Sequence, residues 1–363
     1  MSSTSSKEPV PCDDVIVTPQ SDLTVEIIEY DEDYGHKVPS RTGLLHISKD
    51  TLASSSSYFQ AMLGRSWVES KSDKIVLHDD PVRSMEIWFR LFHSTLNMVK
   101  LDDVTVTDIW HVILASDKYE FDRQQLLDWF ITWYRNATAV GIYRNNLARK
   151  LMLPCYAFDY AEGFQVLTKS LVYKEIGHIT EISPIDNMKL HLPPRIIQQL
   201  NAARGRLRNI LDRELFAKIN LLIDHGSCRC KEETVFNYLR ELGRIDVQPL
   251  VERSFSRASV QCYLDRLRQF DQERMLRKIS GDRCLHCCFD WKKGVERAIQ
   301  VTTEYFDGLC LDCMKITVRD DEDYWDHARF RERYDRNCRI THGEPTCYFS
   351  FMARREKRGL VAP

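Results

Sequence analysis

Ten of the twelve cysteines in this 363-residue chain fall in its last 136 residues, from Cys228 onward. Four of them form two Cys-x-x-Cys pairs, Cys284/Cys287 and Cys310/Cys313, separated by 22 residues. Each pair holds two thiols on one tight turn, and two such turns at this separation suit a tetrahedral Cys₄ zinc site. A Cys-x-Cys pair, Cys228/Cys230, lies upstream. Cys338 and His342 lie downstream at i, i+4, the spacing that puts two side chains on one face of a helix. Eight ligands predict two structural zinc ions, one on Cys284, Cys287, Cys310 and Cys313, the other on Cys228, Cys230, Cys338 and His342. A cross-braced arrangement, with the first and third pairs sharing an ion, is the alternative and would suggest a RING-like module. The 53 residues between Cys230 and Cys284 are long for it. The plainer reading is a set of reduced core cysteines, since free Cys packs as a small hydrophobe. That reading suits Cys288, Cys262 and Cys347, and Cys12 and Cys155 lie far from the cluster.

The start of the chain, MSSTSSKEPV, has neither a basic region nor an apolar run, so a reducing compartment, cytoplasm or nucleus, is expected and disulfides are not. No apolar stretch is long enough for a membrane span. A hydrophobic content of 43% permits a sizeable core and, at this length, two or three domains. The net charge of −2 gives no general field for a polyanion. Arginines 329, 331, 333, 336 and 339, with the basic end at 354–358, could still form a local phosphate-binding face, although acidic residues interleave with them. Phosphate loops, dinucleotide turns, nucleophile elbows and zinc-protease helices are absent from the text, which predicts no enzyme and no small-molecule substrate. Redox chemistry at Cys-x-x-Cys is disfavoured by the repetition of the motif beside further Cys and His.

Residues 1–20 lack periodicity and predict a disordered tail. Leu23, Val25 and Ile27 alternate with polar neighbours as a strand, residues 31–41 suggest a polar hairpin loop, and Leu44, Leu45 and Ile47 a returning strand. Ser48 is placed to cap a helix carrying Leu52, Phe59, Met62 and Leu63. A short strand at Ile75, Val76 and Leu77 precedes a helix opened by Pro81 with Met85, Trp88, Phe89 and Phe92 on one face. Helices from Val104 to Tyr119 and from Arg123 to Tyr134 follow.

This order, with the text Leu52-x-x-x-Ser56-x-x-Phe59-x-x-Met62-Leu63, the strand followed by Asp79-Asp80-Pro81, and Ala115, Lys118, Tyr119 and Phe121, resembles the BTB/POZ domain over residues 21–135. The family often carries a histidine where this chain has Ser48, a departure matching the divergent fungal members. Phe306 to Cys313, Asp323 to His327 and Cys338 to Gly343 resemble the cysteine-bearing tail of fungal BTB proteins. The resemblance implies a BTB/POZ fold of helices on a small sheet; with the helical pattern of the middle region and the Cys/His spacing, an α+β chain is expected, with a helical connector over 136–225, a zinc-stabilised Cys/His module over 226–350 and a basic tail over 351–363. It implies a protein–protein interaction adaptor that self-associates as a homodimer or docks a cullin scaffold as a substrate adaptor of a ubiquitin ligase. The alternative is a nuclear regulator whose C-terminal module contacts DNA.

Overall fold

The structure, a computed structural model, describes residues 10–33, 36–64, 71–139, 141, 146–185, 190–247, 258–276, 290–317 and 338–342. It is a mixed α+β chain that divides into two compact units, one of residues 1–160 with 182–190, the other of 161–181 with 191–363.

The first unit is built on four strands, β1 (Cys12–Ile16), β2 (Leu23–Asp33), β3 (His36–Ile47) and β4 (Lys74–His78), in the order β1-β3-β2-β4. Strands β2 and β3 are antiparallel, while β1 on β3 and β4 on β2 are parallel. Leu23, Val25 and Ile27 of β2 and Leu45 and Ile47 of β3 are buried at every second position, the alternation expected of a sheet with one covered face. Among the described residues, helices α1 (Lys49–Ser55), α2 (Ser57–Met62), α3 (Val82–Phe92), α4 (Val106–Tyr119), α5 (Leu127–Thr138) and α6 (Leu147–Ala157) belong to the same unit. Helix α3 comes so close to the sheet that a Cβ on Gly43 would lie 2.5 Å from Val82 Cγ1, so only glycine fits there.

Residues of the stretches Leu52–Leu63, Asp79–Pro81 and Ala115–Phe121 come together in space. The Ser56 hydroxyl donates to the Tyr119 carbonyl at 2.6 Å in a buried contact. The Asp80 carboxylate accepts from the Tyr119 hydroxyl and from Lys118 Nζ at 2.7 Å. The Phe59 ring lies 5.1 Å from that of Tyr119 and 5.9 Å from that of Phe121, both stacked. Buried indoles tie the helices together: Trp88 Nε1 donates to the Val112 carbonyl, Trp133 Nε1 to that of Val104 and Trp110 Nε1 to that of Lys150. The last bond draws α6 into this unit.

Three expectations for this region are corrected. Part of the expected tail, Cys12–Ile16, is strand β1; its side chains alternate between exposed and half-buried, so no apolar period marks it, and it is held by backbone pairing with β3. The expected loop over 31–41 is mostly paired strand, with Asp31 opposite Val38, because this end of the hairpin stands away from the core and needs no apolar alternation. The expected single helix after Ser48 breaks at Ser56, which has extended backbone (φ −157°, ψ 136°) and caps α2 through a hydrogen bond from Phe59 N.

The second unit holds α7 (Ala161–Lys174), α8 (Pro194–His225), α9 (Lys231–Arg244), α10 (Val260–Leu267), α11 (Gln272–Leu276), α12 (Trp291–Glu304) and α13 (Leu311–Thr317). Helix α8 runs for 32 residues. Its Ile196, Leu200, Ala203, Leu207, Leu211, Leu215, Ile219 and Leu222 are all buried, an i, i+3, i+4 stripe along which α12 and α9 pack. Tyr238 donates to the Leu215 carbonyl at 3.0 Å, and its ring lies 4.4 Å from that of Trp291. The residues of the expected connector over 136–225 fall in both units: α6 lies in the first, and α7 and α8 lie in the second with the cysteine-bearing helix α13. Among the described residues no helix is long and apolar enough to cross a membrane.

Candidate metal centre

The chain between α12 and α13 is fastened to α7 before it reaches the first cysteine. Phe306, Leu309 and Leu311 are buried. Leu309 N donates to the Thr168 hydroxyl at 2.9 Å, and Lys169 pairs with Asp307 at 3.2 Å. Between them Gly308 has φ +99°, and a Cβ there would lie 2.4 Å from the Gln165 carbonyl oxygen. A residue with a side chain would meet both backbone strain and a clash. Cys310 emerges from this turn immediately before α13, and Cys313 sits in the first turn of the helix; they are 1% and 3% exposed.

Residues 338–342 supply two more ligands from a bent, non-helical segment. The backbone N–H of Arg339 donates to Asp312 Oδ2 at 2.9 Å and its guanidinium to Asp312 Oδ1 at 2.8 and 3.1 Å. Gln165 Nε2 donates to the Thr341 carbonyl at 3.4 Å. Cys338 and His342, both half-buried, are thereby brought to the two buried thiols, and one ligand atom from each of the four lies within 4.8 Å of every other.

The spacing of these atoms suits one tetrahedral ion. Zinc bonds of about 2.3 Å to sulfur and about 2.0 Å to nitrogen, set at the tetrahedral angle, separate two sulfurs by about 3.8 Å and sulfur from nitrogen by about 3.5 Å. Cys313 Sγ lies 3.6 Å from Cys338 Sγ and 3.5 Å from His342 Nε2. Three thiols and an imidazole are a donor set that zinc takes in structural sites. Four protein ligands saturate a tetrahedral ion, so the arrangement suits a structural staple.

The electrostatics describe a site short of positive charge. Hydrogen bonds from Cys313 and His342 hold the Cys310 thiol down to about 4, so it carries the first thiolate. The Cys313 thiol is pushed far up by its hydrogen bond to Cys310 and by burial, and that of Cys338 is pushed up to about 11, chiefly by burial. A second thiolate beside the first is costly without a cation between them. A divalent ion reverses that cost and deprotonates all three.

Four of the eight expected ligands thus meet, in a pairing the spacing did not predict. Cys338 and His342 join Cys310 and Cys313, not Cys228 and Cys230, and the third and fourth pairs share the site in place of the first and third. The i, i+4 spacing serves a bend and not a helix, with Arg339 bonded to Asp312 and Thr341 to Gln165. Cys284 and Cys287 lie outside the described residues. Cys228 and Cys230 are half-buried where α9 begins, and among the described residues neither belongs to a cluster of three or more metal-ligating side chains. The described residues thus contain one four-ligand site. Sequence reasoning missed Asp312, Gln165, Thr168 and Gly308, and it weighed Arg339 only as part of a phosphate-binding face that the interleaved acids disfavour. The readable signal was the acid inside one ligand pair and the arginine inside the other. Comparison with protein-family models, curated proteins and solved structures finds no match.

Proposed function

We propose that the chain is a non-enzymatic interaction adaptor, with a BTB/POZ domain in its first unit and a zinc ion bound by Cys310, Cys313, Cys338 and His342 stabilising its second. The observation that carries the reading is the meeting of the three motif stretches around Tyr119: Ser56 and Phe59 from one, Asp80 from another, Lys118, Tyr119 and Phe121 from the third. These residues, far apart in the sequence, build one core. The order of elements, a hairpin, a helix pair, a strand parallel to β2 of the hairpin and further helices, supports the reading. In this reading the first unit associates with protein, either a second copy or a cullin scaffold, and the zinc fixes a second surface for another partner.

The reading is tested with the purified, zinc-loaded full chain by sedimentation and by binding to cullin N-terminal segments. Self-association or cullin binding at micromolar concentration is the expected result. A strictly monomeric chain that binds no cullin would sink the proposal, and salt-dependent binding to random duplex DNA with a steep slope would favour the nuclear regulator instead.

A further inference from the structure

We propose that Asp312 and Arg339 are positioning residues that hold the two halves of the metal centre in register before an ion arrives. The inference rests on the reading of Cys310, Cys313, Cys338 and His342 as one metal site. Asp312 stands between the two cysteines of the first half, and Arg339 directly follows the first ligand of the second. The Arg339 guanidinium donates to Asp312 Oδ1 from Nη2 at 2.8 Å and from Nε at 3.1 Å, while its backbone N–H donates to Oδ2 at 2.9 Å. One carboxylate therefore fixes both the side chain and the main chain of the residue beside Cys338. The planar fork sets direction as well as distance, which a point charge would not.

The side chains of Asp312 and Arg339 are 23% and 44% exposed, and an ion pair so open to water contributes little to folding by itself. Its leverage is geometric. The ligand-bearing bend is also tied to α7 by the long Gln165 to Thr341 bond at 3.4 Å. Without the clamp, Cys338 and His342 must be ordered at the moment of binding, and that ordering is subtracted from the metal affinity. With it, the sulfur and nitrogen of the second half already stand at tetrahedral distances from Cys313.

The full chain is tested by zinc competition against a chelating dye and by the visible spectrum of bound cobalt(II). Asp312→Ala is expected to weaken zinc binding by about 10–100-fold, the range for losing a residue that orients a ligand. Arg339→Ala is expected to lose less, because its backbone N–H still reaches Asp312, and Arg339→Lys to fall between that variant and the parent. In Asp312→Ala the sulfur-to-cobalt charge-transfer intensity per bound ion should drop toward about two thirds of the parent's as water replaces Cys338, one thiolate of three. A purely structural role would lower the stability of the unit without altering the spectrum of the bound ion. Should Asp312→Ala not fold, Asp312→Asn, which keeps the volume and one acceptor oxygen, is expected to show a smaller loss of the same sign. Zinc binding in the Asp312 variants as tight as in the parent, or an unaltered cobalt spectrum, overturns the clamp alone. A parent chain that takes up neither zinc nor cobalt overturns the metal site and the clamp together.

Discussion

At Asp80 one buried carboxylate oxygen accepts from both the Tyr119 hydroxyl and the Lys118 ammonium, so two of the motif stretches hang on a single atom. Asp80→Ala leaves the phenol without its acceptor in a packed interior, and a loss of about 1–3 kcal/mol is expected by denaturant titration. The same environment gives a pH dependence. Burial and the nearby Asp80 charge push the Tyr119 phenol far above its ordinary value, and burial likewise raises Tyr173 and Tyr238. With the folded values raised, the unfolded chain is first to release these protons, so stability is complete below about pH 10 and falls as pH rises beyond it. Phenolate absorbance from these three buried tyrosines should then appear together with loss of helix; phenolate signal from all fifteen tyrosines while helix content is unchanged would contradict it. Gly308→Ala tests the turn before the metal centre. A side chain at positive φ costs about 1–3 kcal/mol, with the clash against Gln165 added. Gly177→Ala, also at positive φ but with open space around its Cβ, is the control and should be milder.

Among the elements, the break between α1 and α2 turns on the Ser56 hydroxyl, which accepts from Phe59 N and donates to the Tyr119 carbonyl. Ser56→Ala removes a cap and a buried tertiary bond together, so the first unit should lose about 1–3 kcal/mol, measured by chemical denaturation. Elements whose apolar residues face a core were legible in the sequence. Met85, Trp88 and Phe89 of α3 and Val25 and Ile27 of β2 are buried at the periods their spacing implies. Strand β1 was not legible, because backbone pairing places it, joined by the polar contacts Arg41–Asp13 and His46–Asp14, which have no apolar period. The metal centre was half legible. Cys-x-x-Cys announces two ligands on one turn, since that is local geometry. Which other segment completes the site depends on where the chain returns, and a bidentate clamp between Asp312 and Arg339 leaves no periodic mark.

Across the whole molecule, two units with separate cores predict two separable responses to metal removal. A strong chelator should lower the unfolding temperature of the second unit and leave that of the first unchanged; equal shifts in both, or none in either, would count against a structural ion in one unit. Cys310→Ser should reproduce the chelator's effect without the chelator, because three ligands hold a structural ion far less tightly than four. The ligands come from two stretches, with Cys313 and Cys338 25 positions apart. An ion bound by both therefore closes a ring in the chain. Ring closure removes conformations from the unfolded ensemble, as any cross-link does, but this one opens and shuts with the free metal concentration. A protease cut inside the ring would leave two pieces that travel as one through a sizing column until the metal is withdrawn.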